Sequence, residues 1–440
     1  MKKRLLSLML VVALIITVVG CGSKGTSTNT NSGADSSASG GPAKVESPIT
    51  INFWHTFGSG DLLEYMEDAV QRFNETNEYG ITVNATFIGS YATVRAQLTT
   101  SIGAGDNPQV AVIGMSDILG TSGVLADMTP YVERDGVDLS TYDEPATTSM
   151  YCDDKLTQMP FIRSITTMYY NIDMFKAAGY DSAPKTIAEM EEMCKKVAQV
   201  NNCYGMELLN DVGFYHEGLI RSLEAEGLCD KDNSGASCLE DGTLLQLLSD
   251  WSRWCEEGWC YAPDVSDATN KMYQMLYNGE LASCFASSAV KTTIMNYGKE
   301  AGVNIGCAPM PTYTGEGGCG GGGDLAIVSA NNDDQQIAAS WEFVKFLMSD
   351  EEVAIRSEAS GYLPTSTGAA KLMEDVFAAD PYLKILYDAR QSVTDNVASI
   401  KSAEWHTQIA TAASYVIQDK SMTPKEAIDY LKSMESSIFY

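Results

Sequence analysis

The sequence predicts an α/β fold built as two lobes. Three observations carry this. Residues 49–114 alternate strand and helix patterns in a β-α-β-α-β order. A second set of such elements follows residue 186. About 390 residues remain beyond the amino-terminal segment, and 45% of the chain is hydrophobic, enough for two sizeable lobes.

The amino terminus comes first. Met1-Lys2-Lys3-Arg4 is positive and is followed by a short apolar run, residues 5–19, that closes on Gly20-Cys21. A charged start, an apolar stretch and a small residue before the break predict a secretory signal over residues 1–20. Residues 23–43 hold mostly Ser, Gly, Thr, Asn and Ala, so the chain from 21 to 48 reads as a flexible tether.

The first strand is expected over residues 49–55, alternating as a half-buried strand does. A helix over residues 61–74 buries Leu62, Met66, Ala69, Val70 and Phe73 at helical spacing. Residues 80–87 read as the second strand, and Gly89-Ser90-Tyr91 opens a helix to about residue 103. Residues 109–114 form an apolar strand of the parallel type. In open α/β sheets ligands sit beyond the carboxyl ends of strands, which brings in Trp54 and His55.

The stretch Pro160-Phe161-Ile162-Arg163-Ser164 leads into Ile165-Thr166-Thr167-Met168-Tyr169-Tyr170, whose branched and aromatic side chains favour a strand. A short helical patch, residues 174–179, and a Thr-capped helix, residues 186–200, follow. Residues 204–209 read as a strand, 219–227 and 244–257 as helices, and 271–277 as a helix before a strand ending at Ser287-Ser288. Residues 303–311 are a further strand. Residues 317–323 are dense in glycine, which lets backbone approach a ligand, with residues 315–319 expected as a loop tip. Residues 334–348 are helical, and the chain from 367 on is mostly helical, Pro424 opening its last helix.

Several of these segments resemble the bacterial extracellular solute-binding proteins that serve ATP-driven importers, in their sugar and glycerol-3-phosphate types. The matching residues are Pro160-Phe161 through Ser164, Tyr169-Tyr170-Asn171-x-Asp173-x-Phe175 and Ala178-Gly179, then Pro184-Lys185-Thr186. Asn278-Gly279, Ala286-Ser287-Ser288 and Gly361-Tyr362-Leu363-Pro364 match as well. The likeness spans residues 49–440. It implies a two-lobe, type II periplasmic-binding-protein-like fold with a ligand cleft between the lobes. Lobe 1 would comprise residues 49–163 and 326–362, and lobe 2 residues 164–325 and 363–440. The cysteine after Val18-Val19-Gly20 resembles a lipobox, making Cys21 the lipidated first residue of a monomer held at the outer face of the cell membrane. Capture of a carbohydrate or glycerol-phosphate-like solute and delivery to a membrane permease is the implied function.

Carried over residue by residue, the ligand-binding candidates are Trp54, His55, Tyr91, Ser164, Ser287, Ser288, Gly321, Gly322 and Tyr362. Tyr215 joins them as a loop aromatic, and Asp324 as the head of the second crossing. The aromatic faces suit a sugar ring or glycerol carbons, and small hydroxyls and amides suit hydroxyl groups. Two departures bear on phosphate. Met115, with Asp117 nearby, stands where the glycerol-phosphate type has a glutamate. Only Lys401 lies near the place of its arginine. Arg163 is the expected substitute, since guanidinium suits two-pronged anion contact; a salt bridge is its other reading.

The remaining classes find little support. The formal charge is −29, and taking the three positive charges of Lys2, Lys3 and Arg4 away leaves −32, which argues against nucleic acid. A secreted carbohydrate-active enzyme is the alternative function, as is a ligand-sensing co-receptor. Acidic pairs such as Glu256/Glu257 and Glu351/Glu352 read as solvated helix faces, however, and neither G-x-S-x-G nor H-E-x-x-H occurs. No enzyme activity and no cofactor are expected. The three histidines are scattered and no C-x2-C pair occurs, so no metal is expected either. Ten cysteines besides Cys21 in an exported chain suggest disulfides, with Cys229/Cys238 and Cys255/Cys260 the first candidates; buried free thiols are the other reading.

Overall fold

The computed structural model describes residues 41–440 except 116–117, 148, 153, 209–214, 224–225, 231–233, 264–267, 394–399 and 440. The expected signal, most of the expected tether, Cys21 and Asp117 lie outside the described residues.

The first part runs β1 (Ile49–His55), α1 (Asp61–Thr76), β2 (Ile81–Phe87), α2 (Tyr91–Ala104) and β3 (Val110–Gly114). Short pieces follow: α3 (Thr129–Asp135), α4 (Glu144–Thr147), β4 (Tyr151–Cys152) and β5 (Lys155–Leu156). Then comes the longest strand, β6 (Met159–Asn171). Beyond it lie α5 (Ile172–Ala177), α6 (Ile187–Asn201), β7 (Met206–Glu207), α7 (Glu217–Arg221), α8 (Thr243–Glu256), β8 (Cys260–Tyr261) and α9 (Ala268–Asn278). The chain continues with β9 (Ser283–Ser287), α10 (Lys291–Glu300), β10 (Ile305–Pro309) and β11 (Gly320–Ile327). The helices α11 (Asp334–Leu347), α12 (Asp350–Ser360), α13 (Thr367–Leu372), α14 (Glu374–Ala379), α15 (Pro381–Arg390), α16 (Ile400–Ile417) and α17 (Pro424–Phe439) complete it.

Local chemistry accounts for the helix ends. Thr186 and Glu189 form a reciprocal capping box at the start of α6, and Asp333 and Gln336 do the same for α11. Ser90 caps α2 by accepting from the Thr93 amide. Gly361 closes α12 in the left-handed region, at φ 75°.

One seven-stranded sheet carries the architecture, in the order β10-β6-β11-β3-β1-β2, with β9 also paired to β6. The strands β1, β2 and β3 are parallel; β11 is antiparallel to both β3 and β6. The first half of β6 pairs with β11, and its second half lies between β9 and β10. All of its residues are buried. Their side chains enter three separate cores. Phe161 and Ile162 join the core of β1 and α11, Ile165 and Tyr169 join that of α14 and α15, and Met168 and Tyr170 join that of α6 and α8. A smaller apolar cluster around Val94, Leu98 and Ile113 covers the other face of β3.

Four expectations change. The strand expected from Ile165 begins at Met159 and includes Pro160. Proline lacks an amide, and it sits where the register between β6 and β11 shifts, opposite Asp324, so no ladder bond is lost. The glycine-dense stretch is strand over Gly320–Gly323, and only residues 315 and 316 of the expected loop tip, 315–319, are exposed. Gly322, at φ 154°, is required there: a Cβ would stand 2.0 Å from the Ile162 carbonyl oxygen. These glycines bring one strand against another. The strand and helix expected over 204–209 and 219–227 shorten to β7 and α7, with 209–214 and 224–225 outside the described residues. The ten described cysteines are free thiols, so the disulfide reading gives way to the other one.

Candidate functional site

The strand order gathers most of the sequence-derived candidates onto one strip. Trp54, at the exit of β1, is paired in register with Ala111 of β3. Gly114 of β3 faces Gly323 of β11. Gly321 faces Ser164 of β6, and the Ser164 hydroxyl donates to the Gly321 carbonyl at 3.3 Å. Thr166 faces Ser287 of β9, and the buried Ser288 hydroxyl accepts from the Ile165 amide at 3.1 Å. Leu363 bridges to the Arg163 backbone, its amide donating at 2.8 Å, which sets Tyr362 beside the same strip.

Tyr91 occupies the middle. It is the first residue of α2, half-buried, and its ring lies so close to β11 that a Cβ on Gly323 would be 2.7 Å from its hydroxyl. Its hydroxyl is hydrogen-bonded to the Thr56 side chain, and burial together with the neighbouring Tyr362 keeps the phenol protonated well beyond its ordinary range. Tyr362 is likewise half-buried and its phenol is raised by burial. Both rings therefore present neutral hydroxyls with donor and acceptor capacity. Met115 stands at the same place, its sulfur 3.2 Å from where a Gly322 Cβ would be.

Four candidates are placed differently from expectation. Arg163 is 2% exposed, and its guanidinium faces Asp324 at 2.7 Å. It also donates to the carbonyls of Ile162, Gly323 and Ala146 and to the Ser149 hydroxyl. Arg163 is thus an ion-paired brace between β6 and β11 and not a ligand arm. Asp324, 0% exposed, is its partner and is equally withdrawn. His55 packs in an aromatic group: its ring stacks on Phe57 at 5.7 Å, and its Nδ1 accepts from the Phe57 amide. Burial pushes its pKa down to about 4, so it is neutral at pH 7. Tyr215 lies in the core of α6 and α8, its hydroxyl donating to the Phe285 carbonyl at 2.9 Å.

The other cation named for phosphate is also engaged. Lys401 is an exposed residue that donates to the Phe439 carbonyl at 2.9 Å, at the end of α17. Sequence reasoning missed Thr56 and Phe57. Thr56 had one signal, a polar residue directly beyond a half-buried strand. Phe57 had none that separates it from any core aromatic.

Comparison with known proteins decides the class. The family described as bacterial extracellular solute-binding protein matches residues 68–385. The chain belongs to this family. Its members are binding proteins, extracellular or periplasmic, and ABC transporter solute-binding proteins are among its structural neighbours. A curated relative, the sn-glycerol-3-phosphate-binding periplasmic protein UgpB of Pectobacterium atrosepticum, is 26% identical over 359 residues, covering 76% of this chain and 77% of the relative. The structure of UgpB from Mycobacterium tuberculosis with glycerophosphocholine superposes with a TM-score of 0.75 at 18% identity, over 89% of this chain and 98% of that one. The sugar-binding protein MalE from Xanthomonas citri gives 0.76 at 21%, over 89% and 97%. The two-lobe α/β fold of these solute-binding proteins is the fold of this chain.

Proposed function

We propose that this solute-binding protein captures a neutral carbohydrate and delivers it to the permease of an ABC importer. The ligand would lie between lobe 1 (residues 49–163 and 326–362) and lobe 2 (residues 164–325 and 363–440), on the strip around Tyr91. One observation carries the preference for carbohydrate over glycerol phosphate: Arg163, the cation at the strip, is buried and ion-paired with Asp324. The strip offers instead neutral hydroxyls of Tyr91, Tyr362, Ser164 and Ser287 among half-buried aromatic faces and glycine backbone. That chemistry pairs with sugar hydroxyls and covers sugar ring faces. Lipidation at Cys21, with the tether as spacer, would hold a monomer at the outer face of the membrane.

Ligand contacts from both lobes favour the closed form only by the difference in affinity between the two forms. Micromolar affinity, about −8 kcal/mol, suffices for uptake. The test is a thermal-shift and calorimetry panel of monosaccharides, oligosaccharides, glycerol phosphates and their diesters. A sugar should raise the melting temperature by mass action. Tyr91→Ala and Tyr362→Ala should each weaken that binding by ~10-fold or more, as loss of a packed aromatic does, with the fold intact by circular dichroism. Binding of glycerol phosphates alone would overturn the carbohydrate reading. Unchanged affinity in both variants would overturn the site.

A further inference from the structure

A second feature lies away from the strip, where α8 runs into β8. Cys255, in the last turn of α8, is half-buried, and Cys260, which opens β8, is 4% exposed. Their thiols are hydrogen-bonded to each other. Both line an open cavity of about 480 Å³, together with Tyr204, Tyr261, Asp419 and Lys420. The intervening turn is held by contacts that do not involve the sulfurs. Glu257 pairs with Lys195 at 2.7 Å and accepts from the Trp259 indole at 2.9 Å. Gly258 turns the chain at φ 79°, its amide donating to the Cys255 carbonyl.

The two thiols differ in a useful way. The hydrogen bond from Cys260 and the nearby Lys420 ammonium lower the Cys255 pKa, against burial and Glu256. Burial and the adjacent Cys255 raise that of Cys260, with Glu207 and Cys194 acting in the same sense. A lowered thiol facing an open cavity is the nucleophile in thiol–disulfide exchange, because the thiolate is the attacking species. A raised, buried thiol at its side suits the second step. The other close pair lacks this asymmetry: Cys229 and Cys238 are both buried, both raised by burial, and Cys238 donates to the Leu228 carbonyl. Cys203, half-buried in a neighbouring cavity beside Lys195, is raised to about 11.

We propose that Cys255 and Cys260 are a dithiol site that exchanges with low-molecular-weight disulfides, Cys255 attacking first and Cys260 closing an internal bridge. In the first step the Cys255 thiolate bonds to one sulfur of the reagent, breaks its S–S bond and releases one thiolate, which takes up a proton. In the second, Cys260 loses its proton to solvent and attacks the Cys255 sulfur, expelling the second reagent thiolate. Two protein thiols are oxidised by two electrons, and one disulfide is reduced to two thiols. The product ties the end of α8 to β8. It is independent of which solute the strip binds.

The experiment treats the full chain with graded ratios of oxidised to reduced glutathione and reads intact mass and peptide maps. The expected product is the protein lighter by two hydrogens, with no adduct, and the bridge mapped between Cys255 and Cys260. Cys260→Ser should stop at a glutathione adduct on Cys255, and Cys255→Ser should leave Cys260 unmodified. A persistent adduct on Cys255 in the unaltered protein would overturn the proposal. So would first reaction at Cys203 or Cys152 with Cys255 untouched. The measurement on the unaltered chain decides the matter even where a variant fails to fold.

Discussion

At the strand crossing, Arg163 and Asp324 are 2% and 0% exposed and face each other at 2.7 Å. On β7, Glu207 is also 0% exposed, and among the described residues neither of its carboxyl oxygens has a hydrogen-bond partner. The fold treats these buried acids in opposite ways. Beside Arg163, Asp324 has an opposite charge within contact, and four carbonyl or hydroxyl acceptors take hydrogen bonds from the two terminal guanidinium nitrogens. Glu207 has only neutral neighbours among its resolved electrostatic partners, Tyr273, Cys260 and Cys284. Burial alone therefore raises its pKa to about 8, and it holds its proton at pH 7. A buried acid survives by pairing or by neutralising, and the neighbouring strand decides which.

The largest test of this contrast is Asp324→Ala. It leaves the Arg163 charge buried without its counter-charge, and it should lower stability by about 3–5 kcal/mol in urea unfolding at pH 7. A loss below about 1 kcal/mol would make the two sites equivalent and dissolve the comparison.

Glu207→Gln probes the other side. The folded-state pKa of Glu207 lies above its ordinary 4.5. The stability that goes with its protonated form is complete below pH 4.5 and declines as pH rises toward 8. The glutamine variant has no such decline, so it should be more stable than the parent by on the order of 3 kcal/mol at pH 7. The gap should close near pH 4.5. A parallel pH profile for the two proteins would mean that Glu207 finds a charge partner after all.

The smallest effect sharpens the pH analysis. His55 is buried neutral with its pKa lowered from 6.5 to about 4. The unfolded chain therefore binds the extra proton first, and stability falls as pH drops from 6.5 toward 4. Between pH 4.5 and 6.5 the His55 and Glu207 trends oppose each other. In the Glu207→Gln background stability should rise across that range, and adding His55→Asn should flatten it. A rise that persists in the double variant would assign it to another group.

Much of the fold was legible because its signals are local. The alternation of residues 49–55, the helical spacing of Leu62, Met66 and Phe73, and the Thr186 cap each involve residues within a turn or two of one another. The candidate site was legible in part. Tyr91, Ser164, Ser287, Gly321 and Tyr362 carry family-like motifs, and the strand order brings them to one strip. Arg163, His55 and Tyr215 carried the right chemistry for a ligand, yet each is engaged by a residue distant in sequence or by close packing. Their spacing along the chain held no sign of this.

Sequence alone determined the α/β class, the order of the main strands and helices, and the family, because periodicity, capping and short motifs act over a few residues. Tertiary structure alone decided that Asp324 neutralises Arg163, that Gly322 admits the Ile162 carbonyl, and that Lys420 lines the cavity at Cys255 and Cys260. Each of these depends on which backbone lies alongside which. That is set by sheet pairing and core packing between distant segments, where one residue of register changes every neighbour.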